Sequence, residues 1–191
     1  MSDKSISLLP EQADPADGDL FVLVDIDATV GSKTSHITFA QLAEALRAYL
    51  EGEDLAVHGS LYIDDNAVSQ TLTADVWTKV ENYEAGECSD VTPGTNQLTI
   101  EKAGGYDVNM FLSWQGGNNI TFEVALFVND EEYPVVEFWR KMGTAGDVGS
   151  GGAGNIVHLE AGDVVDVRIL SVALGGTITV KSGQLSLHRI F

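Results

Sequence analysis

From about Trp77 to Phe191 the chain alternates with period two, and no helix-period segment interrupts it. The run 105–114 sets Tyr106, Val108, Met110, Leu112 and Trp114 on one face, with Asp107, Asn109 and Ser113 on the other. The run 120–128 repeats the pattern, with Ile120, Phe122, Val124, Leu126 and Val128 inward and Thr121 and Glu123 outward. Alternation over runs of this length requires strands with one buried face. Further strands are predicted over 75–83, 97–102, 133–140, 155–160, 163–170 and 177–190. Each is bounded by a turn signal such as Thr-Pro-Gly, Gly-Gly-Asn-Asn or Ala-Gly-Asp. About eight short strands at this spacing predict a mainly β domain, built as a sandwich, a jelly roll or a barrel. Such folds do not fix a chemistry, so function has to come from sites.

The first half reads differently. Residues 1–19 carry two prolines, one glycine and four aspartates among few apolar side chains, which predicts an extended arm. A short apolar strand follows at 20–26, then a turn at 27–33 and a returning strand at 35–38. Thr38 is a good helix N-cap, Gln41 completes a capping box, and the Ala- and Leu-rich run 39–50 ends at Gly52. Phe39, Leu42, Leu46 and Tyr49 form one apolar stripe on this predicted helix. The stripe is too short to stand alone, so it packs on 20–26, on copies of itself or on another protein. The expected organisation is therefore an N-terminal module over 1–50, an acidic linker over 51–60 and a β domain over 61–191. Within that domain, 61–72 is the leading strand and 84–96 a loop that holds Cys88.

Several chemistries are set aside by the residues themselves. Cys88 is the single cysteine, which excludes an intrachain disulfide and a cysteine-based zinc framework. With 29 acidic and 10 basic residues the formal charge is −19, and such a chain repels phosphate backbones; no nucleic-acid binding is expected. The start Met-Ser-Asp-Lys-Ser lacks a secretory signal, and the apolar run 20–24 is far too short to span a membrane. Synthesis in a cytoplasm without membrane insertion is the expectation. Gly149-Ser-Gly-Gly-Ala-Gly154 fits G-x-G-x-x-G but precedes a strand where a dinucleotide site needs a helix, so it is read as a flexible loop without a cofactor. The acidic groups Asp25/Asp27, Asp64/Asp65 and Asp130/Glu131/Glu132 lack the calcium-loop spacing and read as solvated turns. His36, His58, His158 and His188 are spread singly, with no metal-pair spacing on one element. No G-x-S-x-G elbow is present, and neither catalysis nor a cofactor is expected.

The informative departures lie in the alternation. Phe111 and Phe127 occupy outward positions of their strands, and Ala125 shares the outer face with Phe127. Two large apolar residues on strands expected to be close in one sheet predict a covered face. The N-terminal helix, a neighbouring loop or further copies of the chain are the possible covers.

Four segments, Gln97-Leu-Thr-Ile-Glu-Lys-Ala-Gly-Gly-Tyr106, Val124-Ala-Leu-Phe-Val-Asn-Asp130, Leu159-Glu-Ala-Gly-Asp-Val-Val-Asp-Val-Arg168 and Gly183-Gln-Leu-Ser-Leu187, resemble the jelly rolls of the C1q and tumour-necrosis-factor type. More closely, with Leu61-Tyr-Ile-Asp-Asp-Asn66 ahead of them and Arg140-Lys-Met-Gly-Thr-Ala-Gly-Asp-Val-Gly149 between them, they are similar to the knobs of that type in tailed-phage virion proteins. The segment 19–25 leading to 37–42 is similar to the small modules by which phage fibre and head-fibre proteins attach to the particle. The resemblance implies a homotrimer with Phe111, Ala125 and Phe127 at its interface. It also implies a particle anchor formed by Leu20, Phe21, Val22, Phe39, Leu42 and Leu46, docked to capsid or tail proteins of the same virion. The expected location is the virion surface. A capsid decoration protein or short head fibre is favoured over a short tail fibre or receptor-binding protein, because no collagen-like, coiled-coil or β-helical shaft lengthens the stalk. A soluble carbohydrate-binding jelly roll is the alternative, with Trp114, Trp139 and Tyr133 as stacking candidates for a host-surface glycan and with Trp77 and Trp114 read as core.

Overall fold

The computed structural model describes residues 20–23, 35–38, 57–144 and 146–191. The chain divides into two compact units, Met1–Leu55 and Ala56–Phe191. In the first unit β1 (Leu20–Leu23) pairs antiparallel with β2 (Ser35–Thr38), with Leu20 opposite Thr38 and Leu23 opposite Ser35. The predicted helix over 39–50, and with it Phe39, Leu42 and Leu46, lies outside the described residues, as do Asp25 and Asp27. Among the described residues no helix is long and apolar enough to cross a membrane.

The described residues of the second unit are all strand, turn and loop. They include β3 (His58–Ile63), β4 (Gln70–Leu72), β5 (Thr78–Lys79), β6 (Glu84–Ser89), β7 (Val91–Gly94) and β8 (Gln97–Ile100). The longer strands follow: β9 (Gly104–Gly116), β10 (Thr121–Val128), β11 (Glu131–Lys141), β12 (Val148–Leu159), β13 (Val164–Ser171) and β14 (Gly176–Arg189). They form two antiparallel six-stranded sheets. Sheet I has the order β11-β10-β13-β8-β7, with β5 also on β13. Sheet II has the order β12-β9-β14-β3-β6, with β4 also on β14.

The inward rows of β9, β10, β13 and β14 supply most of the core. Tyr106, Val108, Leu112, Trp114, Phe122, Val124, Leu126, Val167, Ile169, Leu185 and Leu187 are all buried. Trp114 meets Phe122 edge-on at 5.8 Å between ring centroids, which fixes the distance between the two sheets at one end. The β10–β11 hairpin turns through Asn129 and Asp130, both in the left-handed region with φ of 52° and 67°, as a two-residue turn of right-handed strands demands. Asn129 also ties this hairpin to β13. Its Oδ1 accepts from the Val164 amide at 2.9 Å and its Nδ2 donates to Asp163 at 2.7 Å.

Four expectations change. The glycine run 149–154 is no flexible loop; it is the first half of the edge strand β12. Its inward glycines leave room where the β11 side opens onto the core: a Cβ on Gly151 would strike the ring of Phe138, and one on Gly149 would strike Met142. The loop 84–96 is mostly strand, as β6 and β7, and Cys88 packs half-buried against the core from β6. The leading strand over 61–72 is two strands, β3 and β4. Within the expected linker 51–60, Val57 is a core residue and β3 begins at His58, so this part of the linker belongs to the sandwich.

Candidate functional site

The two sheets present very different outer faces. On sheet I, Phe127 points outward as its strand position requires, yet it is only 4% exposed. Trp77, from the chain between β4 and β5, lies edge-on against it with centroids 5.2 Å apart. The Arg168 guanidinium sits 4.3 Å above the same ring. Ala125, one step along β10, is fully buried, opposite Arg168 on β13 and Glu137 on β11.

Around this lid the charges are paired. Asp166 is buried and accepts from Arg168 Nε at 2.7 Å and from Lys79 Nζ at 2.8 Å, while Asp130 holds the other side of Arg168. The carboxylate of Asp130 is pulled below its usual range by this hydrogen bond to Arg168, and Asp166 and Asp130 push the guanidinium's pKa upward. Phe127 is covered within one chain, although Trp139, outward on the edge strand β11, stays exposed. Ala125 and Phe127 are therefore covered by their own chain, and Trp77 is a half-buried lid rather than core. Phe111 does not share their sheet, because β9 and β10 are consecutive in sequence but lie in opposite layers.

The outer face of sheet II is open. Register places Gly152, Phe111, Gln184 and Tyr62 in one row across β12, β9, β14 and β3. The next row holds Gly154, Asn109, Ser186 and Ser60, and beyond it Ile156, Asp107, His188 and His58. Phe111 and Tyr62 are each 40% exposed, and Ile156 and Val148 more than half exposed. The glycines beside Phe111 leave a shallow groove of about 360 Å³, lined also by Asn109, Gln184 and Ser186. The result is a surface of small residues with a few large apolar side chains standing on it, and Glu84, beside Tyr62 and accepting its hydroxyl at 2.9 Å, brings a charge to its β6 edge.

The other candidates are rearranged by the topology. Trp114 is fully buried and Tyr133 packs toward the core, whereas Trp139 is exposed on the outer side of β11, so the three proposed stacking residues share no face. Asp64 and Asp65 lie in the turn after β3, with Asp65 at a φ of 43°. The sequence-adjacent group Asp130/Glu131/Glu132 is split. Asp130 goes to Arg168, while Glu132 joins Glu123 and Glu137 across β10 and β11, with their carboxylate oxygens within 4.8 Å of one another. Burial, followed by the charges of Glu137 and Glu132, raises the pKa of Glu123. Sequence reading missed this trio, because only the β10–β11 register brings its members together. It likewise missed His58 and His188, which β3 and β14 place side by side.

No family model matches the chain, and no curated protein matches it. Among solved structures it is similar to the Eiger TNF of S. frugiperda, at 11% identity and a TM-score of 0.56, over 71% of this chain and 93% of that one. Murine APRIL at pH 5.0 is a second neighbour, at 13% identity and a TM-score of 0.48, over 70% of this chain and 99% of its own. With its two antiparallel sheets and these strand orders, the second unit is a TNF-like jelly roll.

Proposed function

We propose that the chain is a non-enzymatic structural protein of a tailed-phage particle, a homotrimer whose knobs meet through the outer face of sheet II and whose N-terminal unit attaches to the virion. The observation that carries the trimer is the contrast between the two faces. On sheet I, Trp77 and Arg168 cover the outward Phe127, and the exposed Trp139 stands apart on the edge strand β11. Sheet II leaves Phe111, Tyr62, Ile156 and Val148 exposed beside glycines and serines. Large apolar side chains exposed among small residues on one sheet face suit a self-association interface, and closed threefold symmetry buries them in every copy. The jelly-roll fold and the phage-knob resemblance of 97–106, 124–130 and 159–168 support the same reading. In the interface as now proposed, Phe111 stays and Tyr62, Ile156 and Val148 take the places of Ala125 and Phe127.

The virion role rests on the resemblance of 19–25 and 37–42 to phage attachment modules. Capsid decoration or a short head fibre is favoured over a tail fibre, since strand β3 starts at His58, shortly after that module. Three linked copies present three weak anchors together, and avidity makes the attachment firm. Two measurements test the parts separately. Sedimentation of the full chain should give a trimer, and Phe111→Asp should give a folded species of lower mass; a wild-type monomer at micromolar concentration overturns the trimer. Residues 56–191 should stay folded and trimeric yet fail to bind particles lacking this protein, whereas the full chain binds. Full decoration by 56–191 overturns the N-terminal anchor, and failure of the full chain to bind overturns the virion role.

A further inference from the structure

His58 on β3 and His188 on β14 are Cα partners in register, and their rings stack with centroids 6.0 Å apart and planes inclined by 23°. His188 is exposed and His58 half-buried, on the outer face of sheet II. The next position along the same row is Asp107 on β9, the Cα partner of His188, whose carboxylate accepts from Asn109 Nδ2 at 3.1 Å. Two imidazoles and a carboxylate thus follow one another across three hydrogen-bonded strands.

We propose that the His58–His188 pair is a binding site for a borderline divalent transition metal of the Zn²⁺, Ni²⁺ and Cu²⁺ class, each ring giving one nitrogen. Imidazole nitrogen suits these ions, whereas Ca²⁺ and Mg²⁺ demand oxygen. The geometry is close to what one shared ion needs. With metal–nitrogen bonds of about 2.0–2.1 Å, two imidazoles on a tetrahedral ion have centroids about 5.2 Å apart. The observed rings are less than about 1 Å wider than that and lie face to face, so each must turn about χ2 to point a nitrogen at the ion. That torsion is soft for histidine, while the paired backbones of β3 and β14 hold the two Cα atoms in place. Water fills the remaining positions. Asp107 is the Cα partner of His188 on β9, and its carboxylate is held by Asn109. The site lies within one chain, in the row that begins at Ile156 of the proposed interface.

The experiment is calorimetric titration of the untagged full chain with ZnCl₂ and NiCl₂ at about pH 7.5 and again about one unit below the ordinary histidine pKa of ~6.5. The expected result is one ion bound per chain at the higher pH and little at the lower. Binding should be lost in His58→Ala and His188→Ala, and unchanged in His158→Ala, whose ring lies beside Glu160 at 3.2 Å. A second readout does not depend on the variants folding: in the wild type, the imidazole ¹⁵N signals of His58 and His188 should shift together on Zn²⁺ addition. No uptake by the wild type, binding that survives loss of both histidines, or a shift confined to other histidines overturns the proposal.

Discussion

Truncating Phe127 to alanine tests whether the lid on sheet I belongs to the single chain. The ring is 4% exposed, so its removal forfeits nearly the whole burial contribution of a phenylalanine, about 2–3 kcal/mol. The edge-on contact with Trp77 at 5.2 Å adds about 0.5–1.5 kcal/mol, and the guanidinium of Arg168 at 4.3 Å about 0.5–1 kcal/mol. The sum, about 3–5.5 kcal/mol, is close to the usual cost of Phe→Ala at a buried site, about 3–5 kcal/mol. That is a large share of a domain's stability. Urea denaturation of residues 56–191 at fixed protein concentration should show the midpoint falling by the corresponding amount with an unchanged slope. Folded Phe127→Ala should keep the wild-type sedimentation coefficient. Phe111→Ala should behave in the opposite way, with a small change in protomer stability and weaker association. If Phe127→Ala instead costs under about 1 kcal/mol and dissociates the assembly, Trp77 is not its cover and the covered-ring reasoning fails.

Gly151→Val should cost about 1–3 kcal/mol by driving Phe138 out of its place over β12, read as a lower Tm, whereas a neutral result would mean that β11 and β12 part easily. Glu123→Gln should stabilise the fold at neutral pH by up to about 1 kcal/mol. The pKa of Glu123 is raised in the folded state, so stability is full below its ordinary value of 4.5 and falls as pH rises through the raised one; the gain should vanish in acid. Asp130 has the opposite sign. Arg168 lowers its pKa, so its contribution is present above 3.8 and is lost as pH falls through the lowered value, and Asp130→Asn should flatten the acid limb of the stability curve.

The alternation of β9, β10, β13 and β14 was legible because most inward positions carry a large apolar side chain and most outward ones a polar or small one. The first half of β12 was not, since glycine has no side chain with which to alternate, and its reason for being there, the ring of Phe138, is visible only across the sandwich. Strands β6 and β7 were hidden by their polar composition and by Pro93. The outward placement of Phe111 and Phe127 was read correctly from the period. Their cover was not, because strand pairing is non-local: one residue belongs to each sheet, and the lid over Phe127 comes from Trp77. The histidine pair had no local signal, as its partners come from the first and last strands of the sandwich.

Strand β14 lies between β9 and β3 in the middle of sheet II, although it comes after all the other strands of that sheet in sequence. During translation β3, β6, β9 and β12 therefore emerge before the strand that joins them, and a ribosome that stops short of residue 176 leaves a product with no way to close that layer. Completion of the fold waits on the final strand, a late step of the kind that exposes nascent β-segments to one another. The surplus of acidic side chains, −19 over the chain, repels neighbouring nascent chains during that wait.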